Sequence, residues 1–171
     1  MTQLEPPAIL LVEDNVDDYD ATMRSFKTAH LDNPVQWCTT GQDALNFLRG
    51  DGKYAAQQGV RPGLILLDLN MPGIDGRETL SLIKQDPALK KIPVIILTTS
   101  TDERDIEQCY EMGASTYIQK PVDFTGLVEA VARLKSYWFG IAILPKTTRP
   151  ERESQIKIQQ GAIPSGDWNI T

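Results

Sequence analysis

The chain has 171 residues and a formal net charge of −6 at pH 7, which allows one sizeable domain and a tail rather than two full domains. No basic stripe is visible, so we do not expect DNA as a partner. No apolar stretch is long enough to span a membrane, and the N-terminus lacks the basic and apolar regions of a signal peptide. We therefore expect a cytoplasmic protein with no membrane partner. Cys38 and Cys109 lack metal-ligand spacing and are expected to be buried free thiols.

The first part of the chain predicts two strands, each followed by a helix. Residues 8–12 form an apolar run, and a helix is expected from about Asp17, with Val16 among the side chains that face the core. A second strand is expected over residues 35–38, before a second helix. Residues 53–62 are polar, contain glycine and are expected to form a loop.

The first helix begins with a group of acids. Asp17, Asp18 and Asp20 lie in or next to its first turn, where the helix dipole favours negative charge. Pairing with the dipole is enough to explain all three. One of them could also assist a bound cation.

The third strand ends in an aspartate. Residues 64–67 are four consecutive apolar residues without alternation, which is typical of a strand buried on both faces of a parallel sheet. Asp68 follows directly, and Pro72 and Gly73 then interrupt the chain. Open α/β sheets bind ligands at the carboxyl ends of their strands, so Asp68 is expected at a functional edge. Taken alone, an aspartate that merely caps the strand is an equally good interpretation.

Two further strand–helix units complete the predicted domain. A fourth strand is expected over residues 94–97, followed by Thr98 and Thr99, and a fifth over residues 116–119, followed by Lys120. Strand and helix thus alternate five times, with connections long enough for helical crossovers. The pattern predicts an α/β fold of the flavodoxin-like kind, a doubly wound parallel sheet with strand order 2-1-3-4-5.

Charged and hydroxyl side chains therefore end four strands at one edge of the sheet. The acids are Glu13, Asp14 and Asp68, and three acids together suit a hard divalent cation with oxygen ligands. Lys120 and Thr98 beside them suit an oxyanion, most simply a phosphoryl group. The sequence predicts a site that brings a cation and a phosphoryl group together.

These elements resemble the receiver domain of two-component response regulators over about residues 8–136. The resemblance rests on Glu13-Asp14, on Asp68 and the residues after it, on Thr98 after an apolar strand, and on Lys120-Pro121. It implies that Asp68 accepts a phosphoryl group from a phosphohistidine of a sensor histidine kinase. It implies no enzyme activity beyond Mg²⁺-dependent self-phosphorylation and self-dephosphorylation at Asp68.

The resemblance also implies a role for each residue of the site. The metal ligands it implies, for Mg²⁺ or Mn²⁺, are Glu13, Asp14, Asp68 and the backbone carbonyl of Asn70. The phosphoryl-binding residues it implies are Lys120, Thr98 and Thr99. Thr98 and Tyr117 would form the switch that changes the surface of the fourth helix, fifth strand and fifth helix on phosphorylation.

A dense apolar cluster at residues 137–144 follows the expected domain. We expect the receiver domain to span residues 1–137, and residues 138–171 to form a C-terminal extension or arm that is not an independent domain. The end of the last helix together with this cluster, residues 127–145, is similar to single-domain regulators that serve cyanobacterial phytochromes and bacteriophytochromes. This similarity implies a phytochrome kinase as phosphodonor and a homodimer.

The apolar cluster allows two arrangements. It either folds back on its own domain or crosses to a second copy. An apolar patch of this size is seldom exposed on a soluble monomer, and its size together with the resemblance favours crossing. The predicted interface residues are Tyr137, Trp138, Phe139, Ile141, Ile143 and Leu144.

Three other classes of protein share parts of this pattern. Phosphohydrolases of the haloacid dehalogenase type also use an aspartate nucleophile, but their acid/base is a second aspartate two residues later, where this chain has Asn70. A pseudo-receiver would lack phosphorylation residues, and all are present here. A flavin-binding protein would need a hydroxyl- or glycine-rich phosphate cradle after the first strand, which the sequence lacks. The phosphohydrolase is the main alternative.

Overall fold

The computed structural model describes residues 5–57 and 61–146. Its strands are β1 (Ile9–Val12), β2 (Val35–Cys38), β3 (Leu64–Leu67), β4 (Val94–Thr98) and β5 (Thr116–Gln119). Its helices are α1 (Val16–Thr28), α2 (Gly41–Arg49), α3 (Gly76–Gln85), α4 (Glu103–Glu111) and α5 (Phe124–Leu134). A 3₁₀ segment spans Gly52–Gln57, and a π-helical turn spans Lys135–Phe139.

The five strands form one parallel sheet in the order β2-β1-β3-β4-β5. The predicted flavodoxin-like α/β fold and its strand order are therefore confirmed. The register pairs Val12 with Leu67, and Leu67 with Ile96. The residues that follow β1 and β3 consequently lie side by side at the carboxyl edge of the sheet.

Helices cover both faces of the sheet, which explains why β1, β3 and β4 are fully buried and why every residue in them except Thr98 is apolar. Successive strand residues point to opposite faces. Leu10 and Val12 pack in a cluster with residues of α2 and α3, whereas Ile9 and Leu11 pack with residues of α1 and α5. Both cysteines are buried and free, as predicted.

Two local predictions are wrong. The expected loop contains the 3₁₀ segment Gly52–Gln57, because buried Tyr54 donates a hydrogen bond to Asp43 Oδ2 at 3.0 Å and holds the segment against α2. Val16 does not face the core and is 58% exposed. It is the first residue of α1, directly after the N-cap Asn15, so its side chain projects beyond the sheet.

The C-terminal apolar cluster divides into a packed part and an exposed part. Helix α5 runs without a break into the π-helical turn, where Trp138 and Phe139 pack against the core of their own chain. Leu144 lies against the backbone at Gly63. The exposed members are Tyr137, Ile141 and Ile143. Residues 147–171 lie outside the described residues, and the predicted domain boundary at residue 137 stays a prediction.

None of the helices that the structure describes is long and apolar enough to cross a membrane. The longest α-helix among them is the amphipathic helix α1, with 13 residues.

Candidate functional site

Three carboxylates meet where β1 and β3 end. Oxygen atoms of Glu13, Asp14 and Asp68 all lie within 4.8 Å of one another. Glu13 and Asp68 are buried, and the register of the two adjacent strands places them next to each other. This cluster of hard oxygen ligands could bind a divalent metal, as predicted.

Lys120 closes the site from the end of β5. Its backbone N–H donates to the Thr98 carbonyl at 2.7 Å, which continues the pairing between β5 and β4. Its Nζ donates to Glu13 Oε2 at 2.5 Å and to Asp68 Oδ2 at 3.2 Å. A third bond of 3.2 Å reaches Asp18 Oδ2 on α1. The lysine is therefore surrounded by three carboxylates, and its side chain is only 11% exposed.

Burial and pairing act in opposite directions on the two charges. Burial raises the pKa of Glu13 to about 7, although the bond from Lys120 and the Asn15 N–H oppose the rise. Burial disfavours the charge of Lys120, but its hydrogen bond to Glu13 and the charge of Asp68 outweigh that effect and raise its pKa. Lys120 thus stays cationic, while Glu13 is the carboxyl group that responds to pH near neutrality.

The backbone after β3 is shaped around Asp68. The Asn70 N–H donates to Asp68 Oδ1 at 3.2 Å, which orients the carboxylate. A side chain at residue 76 is excluded, because a Cβ atom at Gly76 would lie 2.1 Å from the Asp68 carbonyl oxygen. The carbonyl of Asn70, which the sequence predicts to be a further oxygen ligand, belongs to the same turn.

The two threonines that follow the fourth apolar run differ in their environments. Thr98 is fully buried at the end of β4, and its Oγ1 accepts hydrogen bonds from Asn70 Nδ2 at 3.5 Å and from the Ser100 N–H at 3.4 Å. Thr99 is exposed and lines a groove of about 430 Å³ together with Lys120 and Asp18. Thr98 is therefore hydrogen-bonded to the turn that follows Asp68.

Tyr117 lies on β5, away from the carboxylates. Its hydroxyl donates to the carbonyl of Ser100 at 3.0 Å. The Ser100 hydroxyl donates to Asp105 Oδ2 at 2.7 Å, and Asp105 is paired with Arg77 through bonds of 2.8 and 2.6 Å. The predicted switch tyrosine is thus connected to a polar network that joins α3 and α4.

Sequence reasoning missed these network residues and the contact between Asp18 and Lys120. The acids at the start of α1 were visible, but nothing indicated which of them points into the site. Asp18 and Lys120 are 102 residues apart. The only available signal was that α1 starts at the edge where Glu13 and Asp14 lie.

Comparison with known proteins agrees with the fold and site. The response regulator receiver domain model matches residues 9–132. Response regulator Rcp1 of Synechocystis is 41% identical over 140 residues, which cover 82% of this chain and 94% of Rcp1. The probable methanogenesis regulatory protein FilR2 of Methanothrix harundinacea is 38% identical over 139 residues, or 80% of this chain and 86% of FilR2.

Solved structures give the same result. The phosphorylated cyanobacterial phytochrome response regulator RcpA has a TM-score of 0.77 and 39% identity, covering 82% of this chain and 99% of RcpA. The Mn²⁺-bound form of Rcp1 has a TM-score of 0.75 and 40% identity, covering 82% of this chain and all of Rcp1 (100%).

The fold and the site define a receiver domain of two-component signalling, a class of signalling protein that works with histidine kinases. The chain belongs to the response regulator receiver family, within which it is similar to the phytochrome response regulators. The family resemblance seen in the sequence is therefore confirmed. The comparisons give no support to the phosphohydrolase alternative.

Proposed function

We propose that Asp68 is the phosphoacceptor of this response regulator. The observation that carries the proposal is the position of its carboxylate between the acidic cluster and Lys120. Oxygen atoms of Asp68, Glu13 and Asp14 lie within 4.8 Å of one another, and Asp68 Oδ2 is 3.2 Å from Lys120 Nζ. The carboxylate nucleophile thus has the positive charge of Lys120 on one side and, on the other, two carboxylates that could bind a metal cation.

This arrangement suits attack by one anion on another. A carboxylate oxygen of Asp68 forms a bond to phosphorus, and the phosphorus–nitrogen bond of the kinase phosphohistidine breaks, with its electron pair staying on the histidine. Lys120 attracts the phosphoryl oxygens and lowers the repulsion between the two anions. Glu13, Asp14 and Asp68 would hold a Mg²⁺ ion there, which would supply further positive charge for the phosphoryl oxygens.

We assign the metal ligands to Glu13, Asp14, Asp68 and the backbone carbonyl of Asn70. All are hard oxygen donors, which Mg²⁺ prefers, and Mn²⁺ accepts the same set. Burial also raises the pKa of Glu13 to about 7, because desolvation disfavours its charge, and a bound cation would offset that cost. The Mn²⁺-bound form of Rcp1 supports a divalent cation in a similar protein.

Phosphorylation is proposed to act through Thr98 and Tyr117. We assign the binding of phosphoryl oxygens to the hydroxyls of Thr98, at the end of β4, and of Thr99, directly after it. Movement of Thr98 towards the phosphoryl group would change the Ser100 N–H contact that it now accepts. Ser100 in turn accepts from Tyr117, so the change would reach the surface formed by α4, β5 and α5.

We infer that the phosphodonor is a phytochrome histidine kinase. The support is the similarity to RcpA and Rcp1, at 39% and 41% identity. Autophosphorylated phytochrome kinase should transfer its phosphoryl group to this chain faster than an unrelated histidine kinase does. Equal transfer rates from the two kinases would contradict the assignment.

A homodimer is proposed through the exposed part of the C-terminal cluster. Tyr137, Ile141 and Ile143 are 52%, 74% and 98% exposed, so a second copy would have apolar surface to cover. The other predicted interface residues already pack within their own chain and would anchor the exposed residues to the domain; they are Trp138, Phe139 and Leu144.

Phosphorylation by acetyl phosphate tests the main proposal. Wild-type protein with Mg²⁺ should gain the mass of one phosphoryl group, and Asp68→Asn should not. Asp32→Asn is the matched control, since Asp32 is an exposed aspartate outside the site. Equal phosphorylation of wild type and Asp68→Asn would show that Asp68 is not the acceptor. Steady turnover of a small phosphate ester would instead favour a phosphohydrolase.

A further inference from the structure

Lys120 has one carboxylate partner that the proposed chemistry does not use. Two of its three partners, Glu13 and Asp68, belong to the acidic cluster. The third, Asp18, lies on α1 and is not a member of that cluster, and its Oδ2 is 3.2 Å from Lys120 Nζ.

Local structure fixes the position of Asp18. Its backbone N–H donates to the side chain of the N-cap Asn15 at 3.1 Å. Its carbonyl accepts from the Thr22 hydroxyl at 2.8 Å, one turn further along α1. The side chain therefore starts from the hydrogen-bonded first turn of a helix, where the helix dipole favours negative charge. Asp18 is a fixed counterion rather than part of a mobile loop.

A cation in the cluster would compete with Lys120 for two of its three partners. Carboxylate oxygens of Glu13 and Asp68 that ligate a metal have fewer lone pairs for the ammonium group, and two positive charges at close range repel each other. Asp18 lies outside the cluster and remains available to Lys120 in that state. An ammonium group has three N–H donors, so Lys120 can bind Asp18 and still donate to a phosphoryl oxygen.

We propose that Asp18 is a positioning residue, which holds the ammonium group of Lys120 beside Asp68 when Glu13 and Asp68 serve the metal. The inference rests on the proposed function of Asp68. Without Asp18, Lys120 would still be present but would spend less time where the phosphoryl oxygens arrive. Phosphorylation would then be slower, mainly through a higher half-saturating concentration of the donor.

The test compares Asp18→Asn with Asp17→Asn. Asp17 is also in the first turn of α1 but is exposed. The control therefore makes the same change in net charge and removes a similar interaction between a carboxylate and the helix dipole. With Mg²⁺ and subsaturating acetyl phosphate, Asp18→Asn should be phosphorylated about three- to fivefold more slowly, as expected for a half-exposed ion pair. Asp17→Asn should match the wild type, and Asp18→Glu should recover part of the rate.

A second readout observes the lysine itself. In Mg²⁺-bound protein, hydrogen exchange of the Lys120 ammonium group, measured by NMR, should be faster in Asp18→Asn than in wild type or Asp17→Asn. Urea unfolding of both variants checks that α1 is intact. This readout does not depend on phosphorylation, so it tests the inference even where the rate is low.

Several outcomes would overturn the inference. Faster phosphorylation of Asp18→Asn would make Asp18 an electrostatic barrier to the anionic donor. An equal loss of phosphorylation rate in Asp17→Asn would show that the effect comes from the change in net charge and not from the contact with Lys120. Unchanged exchange of the Lys120 ammonium would show that Asp18 does not hold it. Failure of the proposed function is recognised separately, because Asp68→Asn would then be phosphorylated like the wild type.

Discussion

The Tyr117 hydroxyl donates a hydrogen bond of 3.0 Å to the Ser100 carbonyl oxygen, which connects β5 to the loop between β4 and α4. The same serine donates through its hydroxyl to Asp105 on α4, and Asp105 pairs with Arg77 on α3. The loop between β4 and α4 is thus bonded to β5 through Tyr117 and to α4 and α3 through Asp105 and Arg77. The loop begins directly after Thr98, so this network constrains the region that would respond to phosphorylation.

Replacement of Tyr117 by phenylalanine should loosen this loop. The variant removes the bond to Ser100 and leaves the ring in place, so we expect a loss of about 1 kcal/mol in the free energy of unfolding. Amide hydrogen exchange over residues 99–102 should become faster. Urea unfolding and exchange monitored by mass spectrometry measure the two effects.

Tyr110→Phe is the matched control for that experiment. The Tyr110 hydroxyl accepts from the Tyr117 N–H at 3.1 Å on the open edge of β5, where water can replace it. Its removal should leave exchange of the loop unchanged. Equal acceleration in both variants would mean that the Tyr117–Ser100 bond does not hold the loop.

Replacement of Arg77 should weaken the attachment of α4 to α3. Its guanidinium makes bonds of 2.8 and 2.6 Å to the two oxygens of Asp105, a two-pronged geometry that lysine cannot reproduce. We expect Arg77→Gln to lower the free energy of unfolding by about 1–2 kcal/mol and Arg77→Lys by less. Urea unfolding at pH 7 measures the difference.

The loss caused by Arg77→Gln should disappear in acid. The hydrogen bond from Arg77, and after it the bond from Ser100, hold the pKa of Asp105 below its ordinary value of 3.8. A lowered carboxyl pKa stabilises the fold above the ordinary value, and the stabilisation is lost as pH falls through the lowered one. The difference between wild type and Arg77→Gln should therefore begin to shrink below about pH 4 and vanish only below the lowered pKa of Asp105. If the difference in the free energy of unfolding stayed constant down to pH 3, the stabilisation by Arg77 would not come from its pairing with Asp105.

Metal affinity should depend on pH through Glu13. Burial raises the pKa of this carboxyl group to about 7, and a metal ligand must be deprotonated. The apparent dissociation constant for Mg²⁺ should therefore fall about tenfold between pH 6 and pH 8. Titration of Mg²⁺ against the fluorescence of the tryptophans, or calorimetry, measures the constant at each pH.

The control for this experiment removes the one histidine of the chain. Histidine side chains also titrate in this pH range, and His30 adopts a left-handed backbone conformation with φ 55° that asparagine tolerates. His30→Asn should keep the full pH dependence of Mg²⁺ binding. A flat profile in wild type would mean that Glu13 is not a ligand or is ionised throughout.

Two sets of substitutions separate the packed and exposed parts of the C-terminal cluster. Ile141→Ser with Ile143→Ser changes exposed side chains, so it should weaken self-association while the free energy of unfolding stays within about 0.5 kcal/mol. Phe139→Ala removes a ring that packs against the core, so it should cost about 1–3 kcal/mol. Light scattering on a sizing column gives the mass, and urea unfolding gives the stability.

The result decides between the two arrangements of the exposed part. A dimer in wild type that dissociates in the double isoleucine variant supports an interface between copies. A monomeric wild type at all concentrations, both unphosphorylated and phosphorylated, would contradict the proposed homodimer. Phe139→Ala is the control that shows how the loss of internal packing alone changes the mass of the protein in solution.

Local pattern was sufficient for the architecture and for the centre of the site. Four consecutive apolar residues before Asp68 predict a strand buried on both faces, because a parallel sheet covered by helices excludes water from both sides. Glu13 and Lys120 also follow strands directly. Since parallel strands end at one edge, their order along the chain already places these side chains together.

Contacts between distant helices were decided by the tertiary structure alone. The acids at the start of α1 look alike in sequence, and only the rotation of the helix against the sheet turns Asp18 towards Lys120. The pair of Arg77 and Asp105 likewise depends on the packing of α3 beside α4. Periodicity indicates which face of a helix is apolar, but not which polar side chain meets which partner.

The C-terminal cluster shows the same division. Its composition determined that apolar surface must be covered, because water disfavours exposed apolar side chains. Only the tertiary structure decided that Trp138 and Phe139 pack on their own domain while Ile141 and Ile143 stay exposed. The physical reason is packing between distant parts of the chain, since Trp138 and Phe139 lie in the π-helical turn Lys135–Phe139 and pack on a core cluster that includes Phe26 of α1. Lys135 of the same turn also donates to the His30 carbonyl at 2.8 Å, a contact between residues 105 positions apart.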